Sequence, residues 1–318
     1  MNEAPAATDL RCSTWTRDNS VDPIGTAGSY AGFVLFEWPL PWPHDVSEIA
    51  EIEPVAAVAR AAGHRLQAVT GGRGAAAAPG SVLRHRLAMV YRWDPATGRF
   101  RGRQAELAAD GVAMASALAA WIDGREPAGT ADTTAIDVLL CGHGRRDRCC
   151  GSRGANLEIE LRAAWGDRAD VRLWRTSHTG GHRFAPTAVV LPEGTMWGYL
   201  DRDAVEAVLA RLQPASERLT HYRGCAGLRS PRIQAVEREV LATEGWGILD
   251  QARDGAEGED GSVRLTVGSG AARREWEAKV SVRRTLPVPD CGSPITAARK
   301  TEDELEVTKC RQVAGPPG

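Results

Sequence analysis

Lysine is nearly absent from the chain: Lys279, Lys300 and Lys309 are the only three among 39 lysine and arginine residues. Positive charge is therefore carried by arginine, whose planar, permanently charged fork matters wherever it clusters. No excess of one sign exists either. The net charge of −2 argues against a polyanion binder held by bulk charge. No apolar run approaches the ~18–20 residues of a spanning helix. Residues Met1 to Thr16 lack an apolar stretch after a basic start, so no secretory signal is expected. The Cys-x-x-Cys spacing of dithiol redox enzymes is missing. Gly71 to Gly74 lacks the Gly-Lys-Ser/Thr ending of a phosphate-binding loop. No nucleic-acid motif is visible.

What remains is a globular composition, 43% apolar and 25% charged over 318 residues, enough for about two domains on a prior of ~150 residues each. The seven cysteines, Cys12, Cys141, Cys149, Cys150, Cys225, Cys291 and Cys310, are odd in number. Without an export signal they favour reduced thiols or metal ligation in a cytoplasmic setting over a disulfide framework.

Periodicity divides the chain into three parts. Residues 1–130 form an N-terminal α/β half. Residues 1–29 read as an irregular lead-in, and Gly32 to Glu37 as a buried strand. The prolines of Trp38 to Pro43 stop that strand. Ser47, as N-cap, opens a helix to Ala62. Leu66–Val69 is a strand, Gly71–Gly80 a flexible loop, Leu83–Trp93 and Phe100–Leu107 a strand pair, and Gly111–Ile122 a helix. Gly124–Asp132 has the composition of a linker.

Residues 131–216 repeat the order β-α-β-β-β-α. Strands are expected at Ile136–Leu140, Val171–Trp174, Ala188–Leu191 and Met196–Leu200, with helices at Gly151–Trp165 and Asp201–Leu212. The halves share no clear sequence identity, so duplication is suggested by pattern alone. Residues 217–318 hold a helix at Pro231–Glu244, a hairpin from Val263–Val267 and Trp276–Val282, and a polar tail expected to be mobile from Ala297.

Chemistry-bearing residues concentrate in two places. Cys141 to Gly154 reads CGHGRRDRCCGSRG, and Ser177 to Pro186 reads SHTGGHRFAP. Cys141 ends a buried strand, where α/β sheets place their sites. The eight residues before Cys150 suffice to return a second thiol to the first. Two glycines between His178 and His182 allow a tight bend that turns both imidazoles to one point. Two thiolates and two imidazoles suit zinc or an iron–sulfur cluster. The Cys141–Cys150 gap is long for a zinc finger. The ligand set resembles a Rieske centre, but the spacing and the α/β alternation do not.

These two segments, with VVLPEGTMWGYL at 189–200, resemble the sucrase/ferredoxin-like family. Cys12-Ser13, Gly25-Thr26-Ala27, Phe33 to Trp42, Tyr222-Arg223-Gly224 and Gln234 to Glu237 extend the resemblance over about 12–250. It implies a thioredoxin-like ferredoxin carrying one [2Fe–2S] cluster. The implied ligands are Cys141, Cys150, His178 and His182, with Cys149 a possible substitute for Cys150. It also implies a cis peptide at Ala185–Pro186.

Two thiolates and two neutral imidazoles leave an oxidised cluster uncharged. Its potential is then expected above that of a four-thiolate ferredoxin, and to fall with rising pH as an imidazole ligand deprotonates. Arg145, Arg146, Arg148 and Arg183 flank the ligands and would favour the reduced state. Asp147 is a candidate partner for a ligand histidine. The expected function is electron transfer to an unidentified redox partner, without nucleic acid or membrane. A thiol oxidoreductase using Cys149 and Cys150, and a structural zinc protein, are the alternatives. Sucrose hydrolysis is not expected, because no motif marks two carboxylates placed across a glycosidic bond.

Overall fold

The apolar run Gly32–Glu37 (β1) is buried along its length, as a central strand covered on both faces must be. In the computed structural model, which describes residues 9–71, 84–166 and 168–313, it pairs in parallel with His64–Thr70 (β2). On its other side it pairs antiparallel with His85–Asp94 (β3). Arg99–Ala108 (β4) continues the sheet, and Ala131–Asp132 (β5), inside the expected linker, ends it. The helix between β1 and β2 starts later than the sequence suggests. Asp45, not Ser47, caps a single 3₁₀ turn, and the α-helix runs Glu53–Ala61 with Pro54 in its first turn. Proline fits there because its missing N–H has no intrahelical partner to lose. Gly111–Ile122 is a helix capped by Asp110. Residues 72–80 of the expected Gly/Ala loop lie outside the described residues.

The second half repeats this arrangement. Ile136–Cys141 (β6) pairs in parallel with Val171–Thr176 (β7) and antiparallel with Ala188–Leu191 (β8), which pairs with Thr195–Trp197 (β9). A π-type turn at Cys150–Gly154 leads into the helix Ala155–Trp165, and Asp201 caps the helix Arg202–Leu209. Both halves thus show the same order, β2-β1-β3-β4 and its equivalent β7-β6-β8-β9, with the same strand directions. They meet edge to edge where β2 pairs with β7, Val69 opposite Thr176 and Thr70 opposite Arg175. With Tyr222–Cys225 (β10) the result is one ten-stranded mixed sheet, an α/β (α+β) fold. Ala185–Pro186 is cis, as expected.

Two expectations are corrected at the ends. The lead-in contains a helix, Cys12–Asp18, whose Cys12, Ser13 and Thr16 are buried. Packing rather than propensity holds so short a helix. The C-terminal part is more than a hairpin with a mobile tail. Arg253–Glu257, Ser262–Val267, Arg274–Pro287 and Thr301–Val313 (β11–β14) form a four-stranded antiparallel sheet. Its last strand is polar because it is an edge, with Leu305 and Val307 alone reaching the core. Pro231–Glu244 packs between the two sheets through Ile233, Val236 and Val240. The final residues 314–318 lie outside the described residues.

Candidate metal centre

β6 delivers Cys141 to the carboxyl edge of the sheet, in register with Thr176 of β7. Two residues beyond Thr176 comes His178. Its position is set by the junction between the halves. Ser177 N–H donates to the Ala68 carbonyl at 2.8 Å, and the Ser177 hydroxyl accepts from Ala68 N–H at 3.1 Å. The Arg65 guanidinium donates to the His178 carbonyl.

His143 fixes the other backbone group. Its Nε2–H donates to the Pro43 carbonyl at 2.7 Å, and its Nδ1 accepts from His178 N–H at 3.2 Å. Both ring nitrogens are thereby used, and burial lowers its pKa, so the neutral ring acts as a brace. The proline-rich segment after β1 therefore reaches across to position a histidine of the other half.

Cys149 and Cys150 open the helical turn after Asp147. Asp147 Oδ1 accepts from both of their N–H groups, at 2.8 and 3.2 Å. Successive residues of a helical turn face different directions, and the two thiols part company. Ligand atoms of Cys141, Cys150 and His178 lie within 4.8 Å of one another. Both cysteines are fully buried, and Nδ1 of His178 is buried without a hydrogen-bond partner. Hydrogen bonding from Cys150 holds the Cys141 thiol well below its ordinary range, and the same contact pushes Cys150 up. Gly154 sits under this loop because a Cβ there would lie 2.1 Å from the Cys141 carbonyl oxygen.

The fourth expected residue stands apart from this trio. The His182 ring centre is 6.1 Å from that of His178. Its Nδ1 is 3.1 Å from Asp147 Oδ2 and 3.4 Å from Cys12 Sγ. Cys149 belongs to this second group, with Cys12, Asp147 and Cys291, whose ligand atoms also lie within 4.8 Å of one another. Burial pushes the Asp147 carboxyl up, but His182 and the Cys150 N–H outweigh it and leave the pKa lowered.

Among the flanking arginines, Arg183 is buried and paired with Glu302 at 2.7 Å. Arg145, Arg146 and Arg148 are all exposed, and Arg146 reaches His44 at 2.9 Å. A stronger charge lies beneath the histidine loop. Arg223 is fully buried and donates to Gly180 O, Thr26 Oγ1 and Thr26 O. Among the described residues it has no carboxylate within ion-pair distance, and burial beside Arg183 pulls its pKa down to about 10. The sequence marked Tyr222-Arg223-Gly224 only as part of the family resemblance; composition gave no sign that Arg223 would lie buried beneath the histidine loop.

Gly181 is left-handed, with φ +69°, and a Cβ on it would lie 2.4 Å from the Arg223 guanidinium carbon. Gly181→Ala is therefore expected to cost about 1–2 kcal/mol from backbone conformation alone, and more from displacing Arg223. A urea-unfolding midpoint unchanged from wild type would contradict this account of the loop.

An open cleft of about 560 Å³ leads from solvent to His178, lined by Arg60, Arg65 and Arg146 with His44 and His64. Among the described residues no helix is long and apolar enough to cross a membrane. No curated protein and no solved structure matches the chain. The profile of the sucrase/ferredoxin-like family matches residues 23–224, nearly two-thirds of the sequence and both halves of the large sheet. The chain belongs to the sucrase/ferredoxin-like family.

Proposed function

We propose that this protein is an iron–sulfur redox protein holding one [2Fe–2S] cluster through Cys141, Cys150, His178 and His182, and exchanging electrons with a partner in the cytoplasm. The observation that carries the reading is the buried pair of thiols with an imidazole whose Nδ1 has no other partner. A buried polar atom left unsatisfied is costly, and a metal centre would satisfy it. Soft thiolates beside imidazole fit iron–sulfur chemistry.

Such a cluster, when bound, takes up and releases single electrons. The chain's own residues prepare for that in three ways. Asp147, accepting from Nδ1–H of His182, would hold the tautomer whose Nε2 keeps a free lone pair, the usual arrangement behind a ligand histidine. His143 and Arg65 lock the backbone of His178 from both sides. Arg223 supplies a buried positive charge that favours the added electron in a low-dielectric setting. The arginine-lined cleft gives an acidic partner surface a route toward His178.

The test is anaerobic purification followed by visible and paramagnetic-resonance spectra before and after dithionite. A red-brown protein with a spin-one-half signal on reduction is expected. A colourless protein that fails reconstitution with iron and sulfide would overturn the reading. One zinc per chain bound by Cys141 and Cys150 would replace it with a structural zinc role.

A further inference from the structure

We propose that Cys12, Cys149 and Cys291, with Asp147, form a second metal site that takes one zinc ion, separate from the Cys141–Cys150–His178 centre. The three thiols come from the start of the first helix, the loop after β6 and the loop between β13 and β14. They meet sulfur to sulfur. Cys149 Sγ is 3.3 Å from Cys291 Sγ, which is 3.4 Å from Cys12 Sγ. Asp147 Oδ2 is 3.5 Å from Cys12 Sγ. Cys12 and Cys149 are fully buried and Asp147 nearly so.

Asp147 already accepts from the Cys149 and Cys150 N–H groups and lies against His182, but the three thiols meet little besides one another and its carboxylate, and S–H is a weak donor. A divalent cation serves all four at once. Thiolates about 2.3 Å from a tetrahedral zinc lie roughly 3.8 Å apart, so Cys291 Sγ, at 3.3 Å from Cys149 Sγ and 3.4 Å from Cys12 Sγ, needs to separate from each by only a few tenths of an ångström. Uptake of Zn²⁺ by three thiols and one carboxylate releases three protons to solvent. A disulfide accounts for the group less well, because it would use two thiols and leave the third unpaired.

Asp147 is chosen over His182 as the fourth ligand because its oxygen lies with all three sulfurs within 4.8 Å. Cys12 and Cys291 fall outside the matched residues 23–224. The site therefore joins two segments flanking the family region to the loop that carries Cys150. Its role would be a staple. Gly292 N–H already donates to the Leu10 carbonyl at 2.9 Å beside it, and zinc would fix the contact between the first helix and the loop that precedes Thr301–Val313.

Metal analysis of the full chain, purified without chelators and supplied with zinc, tests this. Wild type is expected to hold one more zinc equivalent than Cys12→Ser, with iron and sulfide equal in the two. Cys291→Ser, at a half-buried loop position, repeats the comparison should Cys12→Ser not fold. Cobalt replacing the lost zinc should give the thiolate charge-transfer band of a tetrahedral site in wild type, and in Cys141→Ala/Cys150→Ala, but not in Cys291→Ser. Equal zinc in wild type and both serine variants would overturn the proposal. So would loss of iron along with zinc, which would make Cys12 a cluster ligand, or a disulfide found by alkylation under non-reducing conditions. Absence of iron from every variant would remove the [2Fe–2S] reading while leaving the zinc difference intact.

Discussion

Cys150→Ser is expected to strip the protein of iron and acid-labile sulfide, while its neighbour Cys149→Ser keeps both. The contrast follows from backbone geometry. Cys149 is already helical, with φ −70° and ψ −41°, and the π-type turn begins at Cys150. Adjacent side chains on such a turn cannot aim at one point. Cys150 therefore stands with Cys141 and His178, while Cys149 stands with Cys12 and Cys291. Asp147 holds both N–H groups with one oxygen, so a serine at either position leaves the loop's own hydrogen bonds in place. Iron and sulfide assays on the two variants, each reconstituted identically, make the comparison. Equal loss in both would mean that the two thiols serve one centre. Equal retention in both would remove Cys150 from the ligand set. The same divergence weakens a dithiol reading of the vicinal pair, because a disulfide needs its sulfurs about 2.05 Å apart with Cβ atoms facing each other.

How much of this was legible beforehand depends on how local the signal is. Strands buried on both faces announce themselves as continuous apolar runs, as Gly32–Glu37 and Ile136–Cys141 do. Helices with a cap or an initial proline, Gly111–Ile122 and Pro231–Glu244, carry their own boundaries. Thr301–Val313 carries almost none, since TEDELEVTKCRQV is an edge strand with two apolar contacts and much charge. It is a strand because Arg274–Pro287 offers it a ladder. Cys12–Asp18 is likewise a helix only by virtue of what it packs on.

The candidate centre divides in the same way. Cys141, Cys150 and His178 lie on segments whose spacing points at a common edge of the sheet. His182 is only four positions after His178, yet its ring turns toward Asp147 and Cys12. The contact between Cys12 and Cys291 spans 279 positions, and Arg223 reaches the histidine loop from β10. No local pattern encodes either. They depend on how the four-stranded sheet and the first helix close over the large one.

That closure rests on an ion pair whose removal should be among the most destabilising single changes in the chain. Arg253, at the start of β11, and Glu237, in the helix Pro231–Glu244, are both completely buried at 2.8 Å. Arg253 also donates to the Ile248 carbonyl at 2.6 Å and the Gly98 carbonyl at 3.2 Å, and Tyr222 donates to Glu237 Oε2 at 2.8 Å. One residue thus ties the second sheet, the helix and the β3–β4 turn of the first half together. Arg253→Met keeps most of the volume but leaves the Glu237 carboxylate without its cation. Breaking a buried pair from one side costs about 3–5 kcal/mol, whereas replacing both partners by apolar groups is often close to neutral. Arg253→Met is therefore expected to lose about 3–5 kcal/mol of unfolding free energy by urea titration. Arg253→Met/Glu237→Leu/Tyr222→Phe, which leaves neither a charge nor the tyrosine hydroxyl stranded, should recover most of that loss. A single variant within about 1 kcal/mol of wild type would mean that the pair does not anchor the second sheet. A triple variant no better than the single would assign the loss to the carbonyl contacts of Arg253 instead. Because Cys291 sits on the loop between β13 and β14, loosening this anchor should also weaken zinc retention in Arg253→Met without changing iron. The same preparation reads both effects, and a loss of iron in place of zinc would show that the second sheet supports the Cys141 side of the centre rather than the Cys12 side.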